Sequence, residues 1–149
     1  MAAEPRLFDR RALLVGAAAA LALLPAVGPR AARDPLVPAR SALARLARAA
    51  LDCVGRGDEC IAHCLAEMRA GRSELADCAS AVAELVAVCG ALARLAALGS
   101  PQLPHFAAAT AEVCRACALE CRKYAEHEPC VACAEACERC LAECQALAA

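Results

Sequence analysis

Thirteen cysteines stand in a chain of 149 residues. Five of them, Cys130, Cys133, Cys137, Cys140 and Cys144, crowd into CVACAEACERCLAEC near the C-terminus. Their gaps of three, four, three and four put all five thiols on one side of an α-helix. A single buried cysteine is most simply a small apolar residue. Five in register strain that explanation, because Ala, Leu or Val would fill the same space without risk of oxidation. The other eight repeat the pattern: Cys53, Cys60 and Cys64, then Cys78 and Cys89, then Cys114, Cys117 and Cys121.

Disulfides are the first chemistry to weigh. Oxidising compartments favour them, but an odd number of cysteines leaves one unpaired within a monomer. Cysteines four apart on one helix also have Cβ atoms too far separated for a good disulfide. Cross-helix disulfides and a redox pair at Cys130/Cys133 stay open. A catalytic CxxC usually follows a strand in a βαβ setting, and strand-favouring runs are absent. Metal binding suits the spacing better. Two metal–sulfur bonds of about 2.3 Å end to end span roughly 4.6 Å, which side chains on adjacent turns can meet. CxxxC occurs at Cys60/Cys64, Cys117/Cys121, Cys133/Cys137 and Cys140/Cys144. CxxC occurs at Cys114/Cys117, Cys130/Cys133 and Cys137/Cys140. Cys117, Cys133, Cys137 and Cys140 belong to both kinds of pair, so neighbouring sites could share a thiolate. Soft thiolates select Cu(I), Zn or Fe–S clusters. Structural zinc needs only four ligands per site, and Fe–S ligation draws on loop CxxC runs that are missing here. Cu(I) accepts two-coordinate thiolate sites in a row, so several Cu(I) ions per chain are the expected cargo.

Helices must position these thiols. Ala and Leu dominate, aromatics make up 2% of the chain, and the class is all-α. Helix one is predicted over about 39–70, with Gly55 and Gly57 as possible kinks and Gly71 as its stop. Ser73 is the predicted N-cap of a second helix reaching about 98. GSPQLP breaks the chain, a third helix covers about 105–126, and a fourth starts near Pro129. Short connections make an antiparallel four-helix bundle with every cysteine stripe turned inward. At about 1.5 Å per residue the thiols fall in layers, Cys64, Cys78, Cys121 and Cys133 together, with Cys130 alone below them. The opposite end carries Leu43, Leu46, Leu92, Leu95 and Leu103, which could plug it.

Two functions are disfavoured. The net charge is −1 and no basic patch is interleaved with aromatics, so nucleic acid is not an expected partner. Asp52, Glu59, Glu120, Glu135 and Glu143 read as solvated faces rather than an acid/base pair, and no enzyme is expected. The N-terminus reads as an address. RLFDRRALLVGAAAALALLPAVG has a basic start and an apolar run from Ala12 to Leu24, suited to a signal peptide over residues 1–32 rather than a membrane span. Arg10 and Arg11 resemble a twin-arginine export signal, although Asp9 stands where Ser or Thr is commoner. Residues 33–38, with Pro35 and Pro38, read as a linker, and 39–149 as the bundle.

The segments CIAHCL, DCASAVAELVAVCGALARLAALGSP and VCRACALECRKYAEHEPCVACAEACERCLAEC resemble the bacterial copper storage proteins, the Cys-rich four-helix-bundle family. The resemblance implies many Cu(I) ions held inside the bundle, chiefly by CxxxC pairs. Cysteine count and signal type are similar to the exported branch. That branch implies a periplasmic homotetramer storing copper for a copper enzyme, or for detoxification. A copper metallochaperone or a disulfide-stabilised structural bundle are the alternatives. The sequence departs from exported members at the bundle mouth, where His and Met ligands are expected and only Met1 and Met68 are present as methionines. His105, His127 and Met68 are the further candidate ligands. His63 reads more simply as a boundary residue. Local spacing favours copper entering at the Cys130 end. The resemblance favours the end where helix one begins, near His105, and that is the expected inlet.

Overall fold

A computed structural model of the chain describes residues 36–148. The segment expected to be an export signal, and the first part of the expected linker, lie outside the described residues. Four helices follow one another: α1 (Leu36–Arg69), α2 (Ala76–Leu98), α3 (Leu103–Cys121) and α4 (Glu128–Ala148). Short 3-10 turns at Ser73–Leu75 and Arg122–Tyr124 lead into α2 and out of α3. Contacts run α1 to α2, α2 to α3, α3 to α4 and α4 back to α1. The result is the expected all-α antiparallel four-helix bundle.

Helix ends differ from the sequence expectation for identifiable reasons. α1 begins at Leu36, because Pro38 falls in the first turn, where its missing N–H has no intrahelical partner to lose. Gly71 does end α1. It sits at φ 95°, and the Arg72 amide donates back to the Glu67 carbonyl, a left-handed close that glycine makes without penalty. Ser73 is not an N-cap. It opens the 3-10 turn, and α2 starts three residues later with Leu75 at its N-cap and no side-chain cap bond. α3 starts earlier than 105, with Pro104 in its first turn, and ends at Cys121 rather than 126.

Gly55 and Gly57 do not break α1, which runs unbroken through 34 residues. Gly57 is buried instead, and a Cβ there would lie 2.5 Å from Val86 Cγ2 and 3.3 Å from Val82 Cγ1. The missing side chain leaves room there for Val82 and Val86 of α2 to pack against α1. Small residues do similar work elsewhere: Ala50, Ala107, Ala134 and Ala136 are wholly buried, which lets the helix axes come close enough for short cysteine side chains to meet. Leu46, Leu75, Leu85, Leu92 and Leu103 fill the rest of the core, each burial contributing about 2 kcal/mol. Ser73–Leu98 is long and apolar enough to cross a membrane by length and composition. Its inner face nevertheless packs Cys78, Val82, Leu85, Cys89 and Leu92 into the bundle, while Ser80, Glu84 and Arg94 lie on its exposed side.

Across the outside, Arg45 pairs with Glu143 at 3.3 Å and Arg139 with Asp52 at 2.6 Å, tying α1 to α4. Arg122 pairs with Glu138. The Tyr124 hydroxyl donates to the Glu74 carbonyl and joins the two 3-10 turns. Exposed ion pairs of this kind contribute under about 1 kcal/mol each, so they register the helices more than they stabilise them.

Candidate metal centre

All thirteen cysteines are free and buried, none more than 1% exposed. They come from every helix: Cys53, Cys60 and Cys64 from α1, Cys78 and Cys89 from α2, Cys114, Cys117 and Cys121 from α3, and the remaining five from α4. Their sulfurs gather into groups along the bundle axis. Cys53, Cys89, Cys114 and Cys140 form one quartet, a single residue from each helix, with all four sulfurs within 4.8 Å of one another. Cys60, Cys64, Cys78 and Cys130 form a second quartet by the same measure. Between them lie the trios Cys60/Cys121/Cys133 and Cys117/Cys133/Cys137. Cys60 and Cys133 each serve two groups, which links the second quartet to both trios. Cys137 of the last trio hydrogen-bonds Cys53 of the first quartet, so the thiols make a connected column rather than separate pockets. Cys144 stands outside the groups, above Cys140.

Two expectations from spacing change. Cys130 is not alone at its end. It lies 3.7 Å from Cys60 and 3.9 Å from Cys78. The reason is the pair of 3-10 turns: Cys78 and Cys130 are each the third residue of their helix, and so stand at one level. The groups are also built mainly across helices. The CxxxC pair Cys60/Cys64 shares a quartet and Cys133/Cys137 a trio, and Cys117 and Cys121 approach to 3.9 Å. Cys140 and Cys144 share no group.

Hydrogen bonding among the thiols sorts their charge. Cys78 is drawn far below the ordinary thiol range by Cys121 first, then Cys130 and Cys60. Cys140 is drawn down by Cys114, Cys144, Cys53 and Cys89, and Cys133 by Cys117, Cys121 and Cys137. Their neighbours move the other way: Cys89 is raised, with Cys114 and Cys140 the leading causes, and Cys121 is raised by Cys117 and Cys133. Burial, then the charge of Cys78, pushes Cys64 up to about 11. Cys78, Cys133 and Cys140 are thus the thiols whose ionised form the surrounding S–H groups favour, and a sulfur so placed among polarisable neighbours suits a soft cation.

Polar donors cluster at one end. The His63 Nε2 and His127 Nδ1 atoms are 3.0 Å apart, with ring centroids separated by 4.8 Å and tilted by 53°. Glu67 joins them, and the three donor atoms lie within 4.8 Å. The Arg72 guanidinium holds the Glu67 carboxyl below its ordinary range, with both imidazoles adding to the effect. His63 adjoins Cys64, and His127 precedes Cys130 by three residues, so this triad stands over the Cys60/Cys64/Cys78/Cys130 quartet. Met68 is half-buried and packs against the core near it. Sequence reasoning undervalued His63 and passed over Glu67. Their i,i+4 spacing around Cys64 was the available signal. His105 is exposed and belongs to no group of candidate ligands among the described residues. At its end Leu46, Leu92 and Leu103 are buried and Leu43 and Leu95 pack against them.

Comparison with known proteins places these features in company. Residues 39–149 match the family described as copper storage protein (Csp). The chain is 32% identical over 101 residues to the cysteine-rich protein YhjQ of Bacillus subtilis (strain 168), covering 68% of this chain and 91% of that one. It is similar in structure to the Cu(I)-bound copper storage protein BsCsp3, with TM-score 0.65, 31% identity, and coverage of 70% of this chain and 95% of that one. A cytosolic copper storage protein from Streptomyces lividans, solved during copper loading with five coppers, gives TM-score 0.68 and 32% identity over 73% of this chain and 93% of that one.

Proposed function

The chain belongs to the copper storage protein family, and from that premise we propose that it is an exported store that fills with copper from one end. It stores multiple Cu(I) ions on cysteine thiolates inside a four-helix bundle and is not an enzyme. The observation that carries the reading is the burial of thirteen free thiols in one connected column. All thirteen, Cys53, Cys60, Cys64, Cys78, Cys89, Cys114, Cys117, Cys121, Cys130, Cys133, Cys137, Cys140 and Cys144, are its ligands. Each soft thiolate can bridge two Cu(I) ions, and shared members such as Cys60 and Cys133 extend the column from site to site. A metallochaperone would instead hold few ions at an exposed site.

The inlet is the His63–Glu67–His127 triad. Nitrogen and oxygen donors hold copper less firmly than thiolate, so an ion caught there moves on to the quartet beneath. Exposure of His105 and the leucines packed at its end support this end over the one the family resemblance favours. The export route rests on Arg10, Arg11 and the apolar run Ala12–Leu24, which precede the family match. The signal is of twin-arginine type, the compartment is the periplasm, and the assembly is a homotetramer supplying copper to an enzyme or removing excess.

Titration of the reduced, metal-free protein against a Cu(I) chelator tests the storage reading. More than about ten Cu(I) per chain is expected from the thiol count. Saturation at one or two ions would overturn it. Fractionation of cells expressing the full chain, with and without Arg10→Lys and Arg11→Lys, tests export, and light scattering tests the tetramer.

A further inference from the structure

The two four-sulfur groups have a geometry that copper storage alone does not call for. A linear two-coordinate ion holds its sulfurs roughly 4.6 Å apart, whereas a tetrahedral ion with bonds of about 2.3 Å sets each pair roughly 3.8 Å apart. In the quartet of Cys60, Cys64, Cys78 and Cys130, three sulfur pairs measure 3.7, 3.9 and 4.0 Å. In the quartet of Cys53, Cys89, Cys114 and Cys140, Cys89 and Cys114 are 4.0 Å apart, and all four sulfurs lie within 4.8 Å. The Cys60/Cys78/Cys130 triangle and the Cys89–Cys114 edge thus lie near the tetrahedral value, and in both sets the remaining edges, including those to Cys64, are under 4.8 Å, so a fourth sulfur is in reach of one ion.

We infer that, when copper-free, each quartet holds one tetrahedral divalent cation of the Zn(II) class, so that the empty store is a two-site zinc protein. The inference rests on the reduced thiol core described above and not on its copper capacity. Thiolate donors and four-fold closed coordination are what Zn(II) takes at structural sites. The two trios lack a fourth sulfur and share Cys60 or Cys133 with other groups, so they stay empty of zinc. The thiols still protonated give up their protons to solvent as the ion enters. The upper quartet takes one ligand from each helix, so zinc there ties all four helices together. Copper loading then expels both ions, because Cu(I) occupies the same sulfurs with softer, bridging bonds.

Co(II) is the probe, since it reports tetrahedral thiolate coordination by intense d–d bands and a sulfur-to-metal charge transfer. The reduced full chain, freed of metal, is titrated anaerobically with Co(II), then with Zn(II), then with chelated Cu(I). The expected result is two Co(II) per chain, one for each quartet, bleached by two Zn(II), with both Zn(II) released by copper. Cys89→Ser and Cys78→Ser each halve the cobalt signal. Weak octahedral-type spectra, a count unmoved by either variant, or a signal lost in His127→Ala would overturn the inference. The wild-type count and band intensity decide the matter even if a cysteine variant fails to fold. High Cu(I) capacity without a cobalt signal sinks this inference alone. A protein that takes up neither metal sinks the storage reading with it.

Discussion

A matched pair of glycine substitutions tests whether the approach of α1 to α2 sets the metal site. Gly55 and Gly57 lie in the same helix, and an added methyl gains about 1 kcal/mol of helix propensity at either. At Gly55 nothing lies within 4 Å of that methyl, so Gly55→Ala should stabilise by the full amount and raise the melting temperature by roughly 4 °C. At Gly57 the methyl meets Val86 Cγ2 at 2.5 Å and Val82 Cγ1 at 3.3 Å. Val86 cannot easily turn away, because a β-branched side chain in a helix has one strongly preferred rotamer. α2 must therefore shift outward. Overpacking of this kind costs about 1–3 kcal/mol, so Gly57→Ala should end between neutral and about 2 kcal/mol less stable than wild type. The displacement falls one turn from Cys60, whose sulfur is 4.0 Å from Cys78 across the same interface. The first cobalt or copper equivalents should bind more weakly in Gly57→Ala and normally in Gly55→Ala. Thermal unfolding of the reduced apo protein, followed by far-UV circular dichroism, and a competitive metal titration measure both effects. Equal stabilisation by the two substitutions, with unchanged metal affinity, would refute the reasoning.

Other outcomes follow from the same core. The reduced, metal-free chain should show a strongly helical spectrum, because neutral thiols are buried without needing metal; a coil spectrum would mean that metal binding drives folding, as in small zinc domains. Stability of the apo form should fall as pH rises above 9. Cys64 is raised from 9.0 to about 11 and Cys53, Cys89, Cys121 and Cys144 are raised as well, so the unfolded chain releases protons that the folded one keeps. That stability is fully present below pH 9 and lost as the pH climbs through the folded-state values. The depressed thiols of Cys78, Cys133 and Cys140 act in the opposite sense up to and through the unfolded-state value and stop contributing slope above it; denaturant midpoints at a series of pH values well above 9 check the sign. His127→Ala should slow Cu(I) uptake in stopped-flow mixing with a chelated donor and leave capacity nearly intact, while His105→Ala does neither; the reverse ranking would move the inlet to the other end.

Much of this was legible in residue spacing. Helical periodicity alone put each cysteine stripe on one face, and four stripes in a bundle have only the inside to share. Periodicity says nothing about level, however. A stripe fixes which way a thiol points around its helix, while the meeting of thiols from different helices depends on where each helix starts along the common axis. Those starts are set here by two 3-10 turns, Ser73–Leu75 and Arg122–Tyr124, whose sequences SEL and RKY read equally well as helix. Counting α2 from Ser73 left Cys130 without a partner. Starting it at Ala76 makes Cys78 and Cys130 level and closes the lower quartet.

The displaced level and the inlet at the His127 end are one problem. With Cys130 isolated, His127 would overlook a single thiol and His63 would remain a boundary residue. Once Cys130 joins Cys60, Cys64 and Cys78, the residue next to Cys64 and the residue three before Cys130 must come together, which they do at 3.0 Å. Glu67, four residues beyond His63, then falls beside them without further assumption. The far end gives the complementary argument: Leu46, Leu92 and Leu103 are buried there, so an ion arriving beside His105 meets apolar carbon before it meets sulfur. With donors at one end and hydrocarbon at the other, the proposed inlet gives a soft cation a direction of travel, and on that reading the quartet holding Cys130 is the first to fill.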